Sequence, residues 1–421
     1  MSAHEGGVGP VAYLVSSYPS LSHAFIENEV ESLRAQGVEV HTFTVRPAPA
    51  ETQLSPRSRA EAATTTTLLG SPPRDWARAG LRTVRTGLPG LVRTAAAAAR
   101  SGPATARSRT WQAFYLAEAL LLFDTLRERG IRHVHVHFAN NGADVARLVV
   151  ALGLAVEGPD SGWRWTMTMH GPTEFEAVEA FDLPAKVRSA HAVACISDFC
   201  RGQLMRHSPP QEWDKLHLVR MAVDVEKFAD AGAERLQRDG AGLRVLFVGR
   251  LVPEKGPSVL VAAVDVLRRR RPDVPLDVRI VGRGPLHDDL ARQIADQGLQ
   301  DHVTLVGPVA NEDLPALYAW SDVFCLPSFA EGVPVVLMEA MATGAPVVTT
   351  PIAGIPELVQ DGISGRLVPP GRADLLADAL VALADAGAAG RGRMGAAGRE
   401  HVRSEFSPQL NAHRLLEVLS R

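Results

Sequence analysis

Short apolar, β-branched runs alternate with amphipathic helical stretches twice along this chain, and that alternation leaves few architectures open. Runs at residues 11–17, 38–45, 133–138, 164–169 and 192–197 form one series. A second series, at 243–249, 277–282, 303–307, 323–327 and 346–350, has a helical pattern within a few residues of each run. Strands alternating with helices build βαβ units and hence a parallel sheet. The fold class is therefore α/β, with two doubly wound, Rossmann-like domains, and a length of 421 residues suits two cores better than one. The stretch at 222–242 is polar and aperiodic and reads as a linker. It separates domains over 1–221 and 243–406, followed by a last helix over 407–421. The first crossover helix is expected over 24–36, with Phe25, Val30 and Leu33 on one face. In such folds ligands bind beyond the carboxyl ends of the strands, so a cleft between the domains is where chemistry is expected.

Charge narrows the partners. With 44 basic and 47 acidic residues the net charge is −3, which gives no field for nucleic acid. The N-terminal segment lacks the basic and apolar regions of a signal peptide, and no apolar run approaches the roughly 20 residues that span a bilayer. The expected location is cytoplasmic. Cys195, Cys200 and Cys325 are an odd number without metal-type neighbours and read as small buried apolar residues. One segment stands apart: residues 74–109 hold eight arginines (Arg74, Arg78, Arg82, Arg85, Arg93, Arg100, Arg107 and Arg109) against one acid, Asp75. It reads first as the solvated helical face of an insertion, and alternatively as a basic amphipathic patch for peripheral contact with an anionic membrane. Gly87, Pro89 and Gly90 predict that it is broken into short pieces.

The most informative segment is FAEGVPVVLMEAMATGAPVVTT, residues 329–350. Gly332 and Pro334 mark a helix start, where free backbone N–H groups and the dipole favour a phosphate. Glu331 and Glu339, eight positions apart, would lie up to roughly 12 Å apart along a helix, about the span from sugar to ribose in a nucleotide sugar. The bland alternative makes Glu331 a favourable acid beside a helix terminus and Glu339 a surface residue.

In VGRLVPEKG, Gly249 and Gly256 let backbone approach a ligand, while Arg250 and Lys255 could neutralise a diphosphate that no metal covers; basic residues after a strand are otherwise simply solvated. VGRGPL supplies Gly282 and Gly284 but lacks the third glycine of a dinucleotide fingerprint, and it reads equally as an ordinary strand-to-helix turn. His170 follows a strand in MTMHGPTEF and could bond a sugar hydroxyl or act as a structural cap; Ser16, Ser17 and Ser22 occupy the first strand-to-helix loop. His133, His135 and His137 share one face of a strand, yet no acid or cysteine at ligand spacing accompanies them, so they read as structural or cleft-lining rather than metal ligands. No Asp-x-Asp pair occurs to hold a metal on a diphosphate.

GR-x4-KG, VG-x-GP, the acidic pair of EGVPVVLMEAMATGAPVV and AGIPELVQDGISGRLVPPG, in this order, resemble the family-4 retaining glycosyltransferases of the GT-B fold. YPSLSHAF, HVHVHFA, HGPTEF and the run ISDFCRGQL match more loosely. The resemblance implies transfer of a sugar, N-acetylglucosamine or glucose carried by UDP, to an acceptor hydroxyl with retention and without metal or cofactor beyond the donor. It implies that Arg250 and Lys255 bind the diphosphate, Glu331 the donor sugar and Glu339 the ribose. Gly332, Val333 and Pro334 would support phosphates or sugar, and His170 would lie near the reacting centre. It also implies that the last helix packs back on the first domain. A small aminocyclitol such as 2-deoxystreptamine is the favoured acceptor, with an exopolysaccharide or lipid-linked glycan as the alternative. Readings of another class are a nucleotide-sugar-binding protein without transfer, or an epimerase. Relatives' S-E-T-F and G-V-D are here Ser22-His23-Ala24-Phe25 and Ala222-Val223-Asp224.

Overall fold

A computed structural model describes residues 8–20, 24–49, 55–236 and 242–421. Ser22 and His23 lie outside the described residues. The chain divides into two units, Met1–Val219 with Asn411–Arg421, and Arg220–Leu410.

The first unit holds a seven-stranded sheet of β1 (Val11–Tyr18), β2 (Val40–Pro47), β3 (Thr66–Thr67), β4 (His133–His137), β5 (Arg164–Met169), β6 (Ala192–Cys195) and β7 (Leu216–Leu218). The order is β3-β2-β1-β4-β5-β6-β7, and every pairing is parallel. The second unit holds β8 (Leu243–Val248), β9 (Leu276–Val281), β10 (Val303–Gly307), β11 (Val323–Leu326), β12 (Val347–Thr349) and β13 (Gly365–Leu367), ordered β10-β9-β8-β11-β12-β13 and again all parallel. Both sheets are doubly wound, as the alternation predicts. Their central strands are buried continuous apolar runs, as expected when helices cover both faces. β3, β7 and β13, absent from the sequence reading, are edge strands of two or three residues, too short to show a periodicity. Cys195, Cys200 and Cys325 are buried free thiols.

Three expectations change. The first crossover helix, Ala24–Ala35, buries Ile26, Val30 and Leu33, whereas Phe25 sits partly buried at the margin with its ring 5.0 Å from that of His170. Spacing of four and seven from Ile26 fits the core stripe better than spacing from Phe25. Residues 222–236 are not a free linker: Phe228 is buried edge-on against Tyr318, and helix Ala229–Leu236 belongs to the second unit. Residues 237–241 lie outside the described ones. The arginine-rich stretch breaks as expected at Gly87, whose backbone is non-helical (φ −164°, ψ 43°), but only there: two helical segments meet across a kink within Pro73–Arg100, and helix Ala106–Glu128 follows. The kink falls at Gly87, just before Pro89. A Cβ on Gly87 would come within 2.5 Å of Val156, and one on Gly90 within 3.0 Å of Ala155, so both glycines permit a tight helix crossing. Helix Pro408–Ser420 places Leu415, Val418 and Leu419 in the core of the first unit with Val11, Tyr13 and Val15. Among the described residues no helix is long and apolar enough to cross a membrane.

Candidate functional site

In the second unit the strand order reverses between β8 and β11, and the two loops at that switch point carry most of the expected residues. After β8 the chain makes a tight turn, closed by the Val252 N–H donating to the Arg250 carbonyl at 3.0 Å, and Arg250, where the turn begins, is exposed. No acid pairs with Arg250 among the described residues. The chain then passes through a short 3-10 turn, Pro253–Lys255, and Gly256 in the left-handed region (φ 64°) opens helix Pro257–Arg270. A Cβ on Gly256 would stand 2.1 Å from the Pro327 carbonyl, so this glycine brings the β8 loop onto the β11 loop.

That contact places Lys255 against Glu331. Lys255 Nζ donates to Glu331 Oε1 at 2.6 Å and Oε2 at 2.7 Å, and Ser328 Oγ donates to Oε1 at 2.7 Å. Glu331 is 6% exposed. An ammonium has three donors, so Lys255 keeps one beyond those given to Glu331. Pro334 caps helix Val335–Ala342 without a side-chain hydrogen bond, leaving the amides of the first turn without side-chain acceptors at that cap. The helix thus starts one residue later than Pro334, and Glu331 precedes it. The estimate of roughly 12 Å along a helix therefore does not apply to Glu331 and Glu339. Val333 is buried, and the Gly332 carbonyl accepts from Gly354 N at 3.1 Å. Glu339 lies in the helix and accepts from the buried Tyr318 hydroxyl at 2.7 Å, through Oε2. Burial raises its carboxyl above the ordinary range, and the Tyr318 hydrogen bond opposes that rise.

Gly282 and Gly284 have a packing role. A Cβ on Gly282, at φ 141°, would fall 1.8 Å from the Gly249 carbonyl, and one on Gly284 2.3 Å from that of Leu251. Leu251 N in turn donates to Arg283 O at 2.9 Å. Both glycines let the β9 loop lock the Arg250 turn from behind. Gly284→Ala is accordingly expected to lower the unfolding temperature and weaken nucleotide binding about tenfold while Arg250 remains in the chain. Calorimetry on the variant checks this, and wild-type affinity would remove the turn from the account.

The first unit has its own switch point, between β1 and β4. Ser16 on β1 donates to Asn140 Oδ1 at 2.8 Å and also contacts Asn141 Oδ1. The buried ammonium of Lys186 holds the carbonyl of Ala139 (2.7 Å) and the carboxylate of Asp144 (2.9 Å), and Glu174 Oε1 accepts from Ala139 N at 3.2 Å. His170, buried just after β5, belongs to a chain of polar contacts. Its Nε2 lies 3.1 Å from His137 Nδ1, His137 Nε2 lies 3.0 Å from Glu29 Oε1, and Tyr13 donates to the same oxygen at 3.0 Å. With Glu29 ionised, His137 donates to it, and its other nitrogen then accepts from His170 Nε2–H, which fixes the His170 tautomer. His133 and His135 are bonded to the Thr166 and Thr168 hydroxyls. Burial holds His135 neutral, its pKa lowered to about 3.

Glu29 is the acid the sequence did not offer to these histidines. It sits 108 positions from His137, on the first crossover helix. Ligand atoms of Glu29, His135 and His137 lie within 4.8 Å of one another, so these three could hold a cation; the nitrogens of both rings are already within hydrogen-bond distance of partners. Tyr13, Glu29, Asn140, Glu174 and Lys186 were not expected, because their roles depend on strand order rather than on local motif. Of the expected residues, Arg250, Lys255, Gly282, Gly284, Glu331 and Glu339 lie in the second unit and His170 in the first.

Two parallel doubly wound units, each with its polar cluster at the switch point, define the GT-B class. Anabaena HepE, solved in complex with UDP, shares this fold with a TM-score of 0.71 over 98% of this chain and 99% of its own, at 16% identity. Residues 242–386 match the family model described as glycosyl transferases group 1. The amylovoran biosynthesis glycosyltransferase AmsK of Erwinia amylovora is 35% identical over 246 residues, 57% of this chain and 58% of that protein. The alpha-D-kanosaminyltransferase of Streptomyces kanamyceticus is 33% identical over 276 residues, 62% of this chain and 69% of its own. The chain belongs to the group 1 glycosyltransferases.

Proposed function

We propose that the protein moves a hexosyl residue from a UDP-sugar, with N-acetylglucosamine or glucose as the sugar, to an acceptor hydroxyl with retention of anomeric configuration. The observation that carries this reading is the Lys255–Glu331 pair beside the exposed Arg250 at the β8/β11 switch point. Arg250 and the third Lys255 donor neutralise the diphosphate, and the amides that open helix Val335–Ala342 add hydrogen bonds to it. Glu331 receives a sugar hydroxyl, and Glu339, with Oε2 engaged by Tyr318, offers Oε1 to the ribose. As the sugar–oxygen bond lengthens, negative charge grows on the departing phosphate, where these fixed cations and dipoles already point. A phosphate oxygen takes the proton of the attacking hydroxyl. Ser16 and His170 are assigned to the acceptor side, and His137 positions His170.

For the acceptor, the similarity to the kanosaminyltransferase supports a small aminocyclitol such as 2-deoxystreptamine. A second reading, a glycan of exopolysaccharide or lipid-linked type, is supported by the similarity to the amylovoran enzyme. The test incubates the protein with UDP- and GDP-sugars, with and without 2-deoxystreptamine, and reads nucleotide release and the anomeric coupling of the product. Release that requires the acceptor, with a retained α-linkage, is expected. Inversion, or an epimerised donor formed without acceptor, would overturn the assignment. Protein cations alone are assigned to the diphosphate, so EDTA should leave the rate unchanged; a loss restored by Mg²⁺ would contradict that assignment.

A further inference from the structure

We propose that the outer face of the hairpin formed by helices Pro73–Arg100 and Ala106–Glu128 docks on an anionic phospholipid bilayer. The longer helix is built inside out. Its buried face carries the small residues Ala79, Thr83, Gly90, Thr94 and Ala98, whereas Leu81, Val84, Leu88 and Val92 point outward and are 43–59% exposed. Seven of the thirteen exposed large hydrophobic residues among the described ones fall between Leu69 and Phe114. A soluble surface normally scatters such residues, and a row of them marks a contact face.

The second helix carries further exposed apolar residues. Arg78 and Arg82 pair with Asp124 and Glu128, which sets the antiparallel register of the two helices and brings Phe114 level with Val92. Phe114 is 56% exposed, and its ring lies 5.8 Å from that of exposed Trp111, which stacks on Tyr115. Aromatic rings with a polar edge suit the headgroup layer.

Charge identifies the occupant. Asp75, Asp124 and Glu128 are engaged by Arg74, Arg78 and Arg82. Arg85, Arg93, Arg100 and Arg107 are exposed and form no ion pair among the described residues, and Arg85 and Arg93 adjoin Val84 and Val92 in the chain. An apolar row flanked by unneutralised guanidinium groups matches a lipid surface with phosphate headgroups, onto which the helix would lie flat. A second copy of this chain would set the same arginines against each other about a two-fold axis. The reading is independent of the donor and the acceptor.

The test is flotation with vesicles of phosphatidylcholine alone and of phosphatidylcholine with phosphatidylglycerol. Binding is expected to the second kind only and to fall as salt rises. Leu88→Ser with Val92→Ser, and separately Arg85→Glu with Arg93→Glu, should each reduce the bound fraction about tenfold at an unchanged unfolding temperature, since all four side chains are exposed. Equal binding by both pairs of variants and wild type would overturn the proposal. So would the absence of vesicle binding, or a concentration-dependent dimer that Leu88→Ser with Val92→Ser dissociates.

Discussion

In Lys255→Ala, kcat/KM for the nucleotide sugar should fall by about a thousandfold, equivalent to ~4 kcal/mol of transition-state stabilisation, and the folded state should lose stability with it. Both effects have one origin. The Nζ atom lies 2.6 and 2.7 Å from the two oxygens of a carboxylate that is 6% exposed. Without it Glu331 retains the Ser328 hydroxyl as a side-chain partner, and a poorly compensated buried carboxylate costs about 1–3 kcal/mol. The two effects separate in further variants. Adding Glu331→Gln to Lys255→Ala removes the stranded charge, so stability should recover while turnover stays lost. Arg250→Ala, at an exposed position without an acid partner among the described residues, should lower turnover by about a hundredfold or more at an unchanged unfolding temperature. Steady-state kinetics beside thermal unfolding reads both quantities. A Lys255→Ala enzyme with the wild-type rate would take this residue out of the site.

Glu29→Gln should make the protein more stable in alkali and less responsive to pH. Burial raises the Glu29 carboxyl from 4.5 to about 7, against the opposing influence of His135 and the Tyr13 hydrogen bond. Between those values the folded state holds the proton more tightly than the unfolded chain, so stability falls as pH rises through the window. Below about pH 4.5 the group contributes nothing, and above about 7 the full cost of the buried carboxylate is present, on the order of 3 kcal/mol. The amide carries no such cost, so variant and wild type should unfold alike in acid and diverge above neutrality. Two of the groups facing Glu29 stay silent in this window: burial holds Tyr13 protonated and keeps His135 neutral. Ionisation of Glu29 also orients His137 and through it His170. The pH dependence of turnover should therefore lose its limb near 7 in the variant. Identical stability curves for the two proteins would show that Glu29 is not a buried titrating group.

The architecture was legible because the evidence for it is local. A strand–loop–helix rhythm is written in consecutive residues, and so are the turn glycines and the cations of VGRLVPEKG. The Lys255–Glu331 contact was not, since it spans 76 positions and depends on a left-handed Gly256 bringing two loops together. Gly282 and Gly284 illustrate a different limit: the motif marks where backbone must come close, but not whether the neighbour is a ligand or the Arg250 turn. In the arginine-rich stretch the break at Gly87 is legible, but the packing that the glycines serve is not. Gly87 kinks the helix while Pro89 and Gly90 lie within its second segment, and the two glycines fit it against Val156 and Ala155. The histidine row showed its spacing but not its acid, which arrives on the first crossover helix through the parallel pairing of β1 with β4.

The most direct test of the donor site is a thermal-shift series with UDP-, GDP- and ADP-sugars and NAD in the presence of EDTA, run on wild type and Arg250→Ala. A ligand at 100 times its dissociation constant adds about 2.7 kcal/mol to stability. Wild type should be stabilised by the UDP-sugar alone, without metal, and Arg250→Ala should lose most of that shift. Equal stabilisation of both proteins, or none of the wild type by any nucleotide sugar, would contradict the assignment of the β8/β11 switch point as the place where the donor diphosphate binds.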